Sequence, residues 1–557
     1  MINKLFAFTQ KEIRGMHQAA YVLAVLTFGS QILALLRDRL LTHTFGLSGE
    51  LDLYFAAFRV PDLLFVVFSA ALSAYVLIPF VSERMAGSAE RAQHLLSQVF
   101  TLFSVAYLFA ACAIAITLPY YIDTLFPGFT VAQHQELIML VRILLLQPFL
   151  LGVSGIFAVV TQLHHRFILF AISPLLYNIG IIFGILALYP LLGISGLTWG
   201  VVLGALMHAA VQIPSILASG LAPRLTGMFE WRELGVVIRD SLPRAFTLSM
   251  QQVTLFVFVS LATIIGTGTV AALQLSYNLQ SVPLAIIGMS YSVAAFPLLA
   301  RAHAEGDFER FRHEVSAGIR HVMFWTLPII GLAVVLRAQF VRVILGSGEF
   351  SWNDTRLTAA VFAVFVVSLV AQSLHLLCVR AWYAAGNTRV PFFTTLATTA
   401  VIITLAYIFT THYAIIAPFL ERFLRVEDVA NTQLLALPLA YSLGTILGVG
   451  FLMFITVRTF RIDRMPLHTS FARAFAAMLA GSAVAYAMLQ VTVLVFGTHI
   501  TLWGILAQGL TSGIFGLITI FITYALLKSP EFADLHRALT RRILKTQPVL
   551  GEDTPRD

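Results

Sequence analysis

Charged residues are scarce in this chain of 557 residues: Asp, Glu, Lys and Arg make up 11%, whereas 59% are hydrophobic. A soluble domain usually carries about 25% charged residues, so this composition excludes a protein with a fully hydrated surface. Several runs, among them AAYVLAVLTFGSQILALL, contain no charged residue at all. Apolar runs of about 18 residues or more predict membrane-spanning helices. The sequence therefore predicts an all-α integral membrane protein.

Cysteine and the common catalytic motifs are also nearly absent. The two cysteines, Cys112 and Cys378, lie in apolar segments, where small packing residues are a simpler interpretation than a disulfide or a metal pair. The chain has no HExxH, GxSxG, Walker loop or paired CxxC sequence. We therefore expect a protein that is not an enzyme and needs neither a metal nor a cofactor.

Turn signals divide the apolar sequence into about fourteen predicted spans. Their approximate limits are 18–36, 53–82, 95–119, 137–163, 168–189, 194–218, 242–266, 269–300, 315–336, 357–385, 391–412, 433–457, 470–496 and 501–527. Most of the 35 Lys and Arg residues then fall in alternate loops and at the two chain ends. The positive-inside rule places these segments in the cytoplasm, which predicts cytoplasmic N- and C-termini and a bacterial inner membrane. This asymmetry explains the net charge of +8 without a nucleic-acid partner.

Two stretches of the chain resemble each other in sequence. Each has an early proline (Pro61 or Pro283), a late proline (Pro79 or Pro297) and a Glu-Arg pair after them. Such internal repeats are typical of transporters, whose substrate site lies between the two halves. The predicted parts are two pseudo-symmetric six-helix lobes, 1–220 and 221–415 (extending to about 460), and two further helices with a basic cytoplasmic tail, 461–557.

The stretch RDRLLTHTFGLSGELDLYFAAFRVPDLL concentrates charge in an apolar region. Ionisable residues inside a membrane span are costly and usually line a bundle interior or a water-filled cavity. Asp52 and Arg59 are seven residues apart and should share one helix face, and Pro61 favours a kink beside them. With Arg37 and Arg39 closing the first helix, they predict a net-basic cleft suited to a phosphate or diphosphate.

A plainer alternative stays open for the same stretch. The charges at 37–39 can be interfacial anchors, and Arg59 can pair with Asp52 or Asp62 to satisfy packing. Arg142, inside the fourth span, is interpreted as an anchor that reaches the membrane interface.

The same stretch, followed by PFVSE, resembles the signature of the MurJ/MviN-type lipid II flippases, which belong to the multidrug/oligosaccharidyl-lipid/polysaccharide exporter superfamily. The matching elements are Arg37-Asp38, Phe45-Gly46, Asp52, Tyr54-Phe55, Ala57-Phe58, Pro61, Leu63-Leu64 and Pro79. A second segment, HHRFILFAISPLLYN, is similar to the family's Arg-Phe-…-Pro-x-Leu-x-Asn stretch, with Arg166, Phe167, Pro174 and Asn178 as the matching residues.

This resemblance implies a flippase that moves lipid II, the undecaprenyl-diphosphate-linked peptidoglycan precursor, across the membrane by alternating access. It implies a central cationic cavity for the head group and a groove for the lipid tail beside the last two helices. Arg37 and Asp52 match functionally important positions of the family, and Arg59 matches a position where a basic residue is usual. The implied partners are a lipid-linked anionic substrate, membrane lipids and the cell-wall synthesis machinery.

Some relatives bind sodium near the start of span seven and in span eleven, and Asp240 and Asn387 lie near those regions here. Asp240 is thus a candidate cation ligand, with a cytoplasmic loop residue as the plainer alternative.

The chain departs from the family pattern at three positions where the family has arginine, namely Gln31, Phe65 and Asn278. One interpretation is a divergent flippase that relies more heavily on its remaining arginines. The second is an ion-coupled exporter of another lipid-linked glycan or of a small molecule. A membrane scaffold without transport activity is a third.

Overall fold

The computed structural model of the chain describes residues 16–69, 74–496 and 501–543, and within these ranges the regular structure is helical throughout. Up to residue 265 the α-helices are α1 (Met16–Phe45), α2 (Gly49–Ala57), α3 (Arg59–Ser69), α4 (Ala74–Gly87), α5 (Ala89–Thr117), α6 (Ile122–Leu125), α7 (Val131–Leu144), α8 (Leu146–Leu163), α9 (Phe167–Phe183), α10 (Tyr189–Leu192), α11 (Ile194–Ala210), α12 (Ile213–Ser219) and α13 (Trp231–Ile265).

The second half continues in the same way. Its α-helices are α14 (Thr269–Pro283), α15 (Ser290–Ala304), α16 (Phe308–Val335), α17 (Arg337–Leu345), α18 (Trp352–Val366), α19 (Leu369–Ala384), α20 (Arg389–Thr411), α21 (Tyr413–Leu424), α22 (Ala436–Thr459), α23 (Arg464–Phe496), α24 (Leu502–Leu526) and α25 (Pro530–Ile543). Short π-helical turns at Gly184–Leu188 and Leu284–Met289 continue α9 and α14.

Within the described residues, 11 helices are long and apolar enough to cross a membrane, or 12 if the broken pair α18 and α19 counts as one span. These coincide with the predicted spans from 95–119 onward. The first two predicted spans fall on α1 and on α2 to α4, and residues 70–73 between α3 and α4 lie outside the description. The all-α membrane fold is confirmed, whereas the count of fourteen stays a prediction.

The first helix extends past its predicted end at residue 36, so the prediction that Arg37 and Arg39 close it is wrong. Instead, α1 ends where Gly46 adopts a left-handed backbone (φ 57°). A Cβ at Gly46 would lie 2.7 Å from the carbonyl oxygen of Glu349. Glycine suits this position because it tolerates both the left-handed angle and the close approach.

A single hydrogen-bond interruption separates α2 from α3. Phe58, between them, keeps helical backbone angles (φ −74°, ψ −22°). Pro61 lacks an N–H group and cannot donate to the carbonyl four residues earlier, which explains the interruption. The path of the chain therefore stays nearly helical from Asp52 to Arg59, and both side chains point toward α14, as a shared face predicts.

Helices α9 and α11 pack almost backbone to backbone. A Cβ on Gly180 would lie 2.3 Å from the Cα of Gly204, and one on Gly184 would lie 2.6 Å from the Cα of Gly200. Small residues permit such close packing of membrane helices. This contact fixes α9, which carries Asn178.

The chain divides into two compact units. The first comprises Met1–Val282, Phe340–Ser368 and Asn387–Phe451, and the second comprises Pro283–Gln339, Leu369–Gly386 and Leu452–Asp557. Both units cross the lobe boundaries predicted from the sequence, and the division into lobes stays a prediction.

In the second unit, α16, α23 and α24 pack together, and a buried carboxylate ties α25 to them. The Glu531 side chain is 3% exposed. It accepts hydrogen bonds from Ser470 (2.8 Å) and Ser529 (2.7 Å), and Arg320 lies 3.4 Å away. The start of α25 is therefore fixed by both hydrogen bonds and charge.

Candidate functional site

The Arg37 guanidinium lies beside its neighbour Asp38 in the interior of α1. Arg37 Nε and Nη2 both donate to Asp38 Oδ1, at 2.9 and 2.7 Å. Its third nitrogen, Nη1, donates to Asn178 Oδ1 on α9 at 3.2 Å. Asn178 Nδ2 in turn lies 3.4 Å from Ser30 Oγ. All three guanidinium nitrogens of Arg37 are therefore engaged within the protein.

Two amide side chains on α14 continue this chain of hydrogen bonds from Asp38 to Arg59. Asn278 Nδ2 donates to Asp38 Oδ2 (2.9 Å), and Gln274 Nε2 donates to Asn278 Oδ1 (2.7 Å). Arg59 Nη2 then donates to Gln274 Oε1 over 2.8 Å. We call this set the polar network; its members are Ser30, Arg37, Asp38, Arg59, Asn178, Gln274 and Asn278.

Arg59 is a buried cation with a neutral partner. The residue is 5% exposed, and besides Gln274 it contacts the carbonyl oxygen of Phe55 at 3.4 Å. Asp62 attracts Arg59 electrostatically, but within the described ranges no carboxylate lies within 4.0 Å of its guanidinium. Asp52 is occupied by the N–H groups of Gly268 and Ala271, so the alternative that Arg59 pairs with Asp52 is wrong. Pairing with Asp62 is limited to electrostatic attraction without a hydrogen bond. Its guanidinium can still offer N–H groups to an anion, since it has five such donors.

Asp52 belongs to α2, and its carboxylate lies beside the N-terminal end of α14 and caps that helix. Its Oδ2 accepts from the Gly268 N–H (2.6 Å) and its Oδ1 accepts from the Ala271 N–H (2.8 Å). The first N–H groups of a helix have no partner within the helix, and a carboxylate there also suits the positive end of the helix dipole. Asp52 thus positions the helix that carries Gln274 and Asn278, and its own oxygens are occupied.

The Arg39 side chain lies at the C-terminal end of α17, whereas that of Asp52 lies at the N-terminal end of α14. Arg39 Nη1 donates to the carbonyl oxygens of Val343 (2.6 Å) and Ile344 (3.3 Å), in the last turn of α17. Thr42 Oγ1 donates to the Leu345 carbonyl at 2.8 Å. A cation near the last carbonyls of a helix is favourable, so these contacts hold α17 against α1. The structure therefore does not bring Arg39 into the polar network.

Two further predictions concern isolated residues. Asp240 lies within α13 rather than in a loop, and its side chain lies outside the described residues, so the predicted cation site stays a prediction. Across residues 16–69, 74–496 and 501–543, no cluster of three or more His, Cys, Asp or Glu could hold a metal ion. Arg142 is exposed and donates to the Ala115 carbonyl at 3.0 Å, as an interfacial anchor would.

Two neutral members of the network, Gln274 and Asn278, are residues whose contacts sequence reasoning missed. Gln274 was not singled out, and Asn278 was noted only for the arginine that the family has there. A signal was present, because the two amides lie four residues apart in an apolar helix and so share a face. Nothing in one sequence, however, shows that this face meets Asp38 and Arg59.

Comparison with known proteins supports the resemblance over most of the chain. A sequence model of the family described as lipid II flippase MurJ matches residues 41–507. The chain is 28% identical over 447 residues to a probable lipid II flippase MurJ of Thermotoga maritima, an alignment that covers 76% of this chain and 88% of that protein.

Solved structures share the fold. A lipid II flippase MurJ in an inward closed conformation has a TM-score of 0.74 at 22% identity, covering 91% of this chain and 99% of that one. An inward-facing multidrug resistance MATE family transporter of the MOP superfamily has a TM-score of 0.61 at 16% identity, covering 77% and 95%. Because the family model matches far more than half of the sequence, the chain belongs to the MurJ lipid II flippase family.

Proposed function

We propose that this protein moves lipid II across the bacterial inner membrane by alternating access, with both chain ends in the cytoplasm. Family membership supports the substrate, and the membrane-spanning helices support the setting. The proposed activity is transport, without a covalent step. The cell-wall synthesis machinery is a proposed partner, since it makes and uses this substrate.

The observation that carries the proposal is the buried Arg59 guanidinium with an uncharged partner. A buried charge is costly unless it is paired. The diphosphate of lipid II offers strongly accepting oxygens, and a guanidinium fork fits such oxygens well. We infer that Arg59 receives the diphosphate.

Arg37 has a different proposed role, because its three nitrogens are already engaged. Arg37 is hydrogen-bonded to Asp38, and Asn278 links the Asp38 carboxylate to Gln274. Arg37 and Asp38 thereby hold the two amides that orient Arg59. We propose Arg37 as a second, weaker contact for the head group, and Asp52 as a positioning residue for α14.

The competing function is ion-coupled export of another lipid-linked glycan or of a small molecule. The similarity to a MATE transporter leaves this function open, since it concerns the fold. Arg59 separates a diphosphate-linked substrate from the others. A flippase of lipid II, or an exporter of another diphosphate-linked glycan, needs Arg59 for the diphosphate, whereas an exporter of neutral or cationic small molecules does not. Translocation of lipid II itself separates the first two.

The experiment compares lipid II translocation in proteoliposomes for the wild type and for Arg59→Ala, Arg59→Lys and Arg142→Ala. We expect Arg59→Ala to lose translocation, Arg59→Lys to retain part of it because the charge remains, and Arg142→Ala to match the wild type. Complementation of a lipid II flippase depletion gives the cellular readout. Failure of the well-expressed wild type to translocate lipid II or to restore growth would favour the exporter.

A further inference from the structure

Helix α21 presents a ridge of large apolar side chains on its exposed face. Ile415, Phe419 and Phe423 are 77%, 74% and 67% exposed. Their spacing of four residues places them on one side of the helix. The rings of Phe419 and Phe423 stack with centroids 6.0 Å apart. We call these three residues the apolar ridge.

The ridge does not result from a loosely held helix. The opposite face of α21 buries Tyr413, Leu420 and Leu424. Glu421 on α21 accepts a hydrogen bond from Thr432 at 2.6 Å and one from Tyr413 at 3.3 Å. The helix is therefore fixed with the ridge directed outward.

A second set of contacts fixes the turn that follows α21. Arg356 on α18 donates to the Arg425 carbonyl oxygen at 2.7 Å and to both carboxylate oxygens of Asp428 at 2.6 and 2.7 Å. Arg425 itself adopts a left-handed backbone (φ 58°) at the end of the helix. The C-terminal end of α21 is thus anchored within the first unit.

The ridge follows an apolar surface on a helix that is long enough to span the membrane. Helix α20 is long and apolar enough to span the membrane, and Val401, Tyr407 and Ile408 on it are exposed. Only His412 separates α20 from α21. Exposed apolar side chains on a spanning helix contact acyl chains, and aromatic residues favour the level of the lipid head groups. The exposed apolar side chains near the C-terminal end of α20 are therefore followed closely in the chain by the ridge.

We propose that α21 is an in-plane membrane helix whose apolar ridge inserts into the lipid leaflet at the C-terminal end of α20. Helices of this kind place apolar groups at the head-group boundary and basic groups beside the phosphates. Arg422, exposed in the last turn of α21, supplies the basic group. The predicted topology makes this the outer leaflet. The inference does not depend on lipid II being the substrate.

The test measures the depth of the ridge with a fluorescent label. Cys112 is exposed and is replaced by serine, whereas the buried Cys378 is kept. Phe419→Cys is labelled with an environment-sensitive dye in vesicles of phosphatidylcholine and phosphatidylglycerol. Glu427→Cys, at an exposed position in the following turn, is the matched control.

We expect the label at position 419 to be quenched by nitroxide-bearing lipid and to be about threefold or more less sensitive to aqueous iodide than the label at 427, as an inserted helix requires. Equal iodide quenching at the two positions would overturn the proposal. It would indicate that the ridge is exposed to water and can bind a soluble partner. Disulfide-linked dimers of Phe419→Cys at high lipid-to-protein ratio, without lipid quenching, would overturn it in favour of a second copy. If Phe419→Cys does not fold, Ile415→Cys tests the same ridge. No substrate is present, so the result is independent of the proposed transport.

Discussion

The Arg59 guanidinium donates a hydrogen bond to the side-chain oxygen of Gln274 over 2.8 Å, although 215 residues separate the two in sequence. This contact joins a cation on α3 to a neutral amide on α14. A carboxylate in place of Gln274 would neutralise Arg59, whereas the amide orients the guanidinium and leaves its charge for an anion. The identity of residue 274 should therefore control anion binding.

Gln274→Glu tests this control. We expect the new carboxylate to pair with Arg59 and compete with the diphosphate, so that translocation of lipid II falls about tenfold or more, the equivalent of about 1.4 kcal/mol. Thermal stability should change little, because the new ion pair with Arg59 offsets the hydrogen bond from Gln274 to Asn278 that a carboxylate cannot donate. Gln274→Met, which removes the hydrogen bond without adding charge, should have the smaller effect on translocation. Wild-type transport by the Glu variant would contradict the role of Arg59.

Asp52→Ala should act on stability, because the Asp52 carboxylate caps α14 through the N–H groups of Gly268 and Ala271. Loss of a helix cap and exposure of two unpaired buried donors should lower the free energy of unfolding by about 1–3 kcal/mol. Asp52→Asn keeps one accepting oxygen and should lose less. Thermal unfolding in detergent measures both variants. An unchanged midpoint for Asp52→Ala, with transport lost, would instead show a direct role in substrate binding.

Arg39→Ala should likewise destabilise the protein rather than alter substrate affinity. Arg39 binds the Val343 and Ile344 carbonyls at the end of α17, and its removal leaves them without that cation. We expect a loss of about 1–2 kcal/mol, with part of it restored in Arg39→Lys. The concentration of lipid II that half-saturates transport is the deciding measurement. This concentration should be unchanged in Arg39→Ala. A large increase would indicate that Arg39 contributes to substrate binding.

The charged stretch of the sequence predicted where a buried polar network lies, but not what each charge contacts. Arg37 and Arg59 could be singled out because arginine inside an apolar run is costly. Asp52 and Arg39 carried the same signal, yet each meets the end of a distant helix. A helix end attracts charge for the same electrostatic reason as an anionic substrate does, and one sequence cannot separate the two.

The positions of the helices depend partly on the local sequence and partly on residues that are distant in the chain. Long apolar runs predicted the spans from residue 95 onward because hydropathy is a local property. The extension of α1 to Phe45 depends on Gly46 and on the approach of Glu349, more than 300 residues away. Partners at such separations determine the end of α1, and they have no signature in the sequence around it.

Glu531→Ala should release α25 from the second unit. Burial alone would raise the pKa of Glu531, but hydrogen bonds from Ser529 and Ser470 and the charge of Arg320 outweigh it, so the pKa is lowered. Removal of this carboxylate leaves Arg320 without its partner, and we expect a loss of about 2–4 kcal/mol. Protease sensitivity near residue 530 and the thermal midpoint measure the effect. Glu531→Gln, which keeps an accepting oxygen but removes the charge, should lose less, and equal losses in the two variants would show that the charge carries the whole effect.

The pair of Arg356 and Asp428 predicts a pH-dependent contribution to stability. Hydrogen bonds from the Arg356 guanidinium lower the pKa of Asp428 to about 2, against about 3.9 for an unperturbed aspartate. Since the pKa is lower in the folded protein, the stabilisation is fully present above about pH 4 and is lost as the pH falls toward 2.

The measurement is the difference in thermal midpoint between the wild type and Asp428→Asn across pH. This difference should be small, because Asp428 is exposed to solvent. It should be constant from about pH 5 to 8 and shrink as the pH approaches 3, since the carboxylate of the unfolded protein takes up a proton there before that of the folded protein does. Glu427→Gln, an exposed neighbour, controls for general charge effects. A difference that grows on acidification would have the wrong sign for a depressed pKa and would refute the pairing as a source of stability.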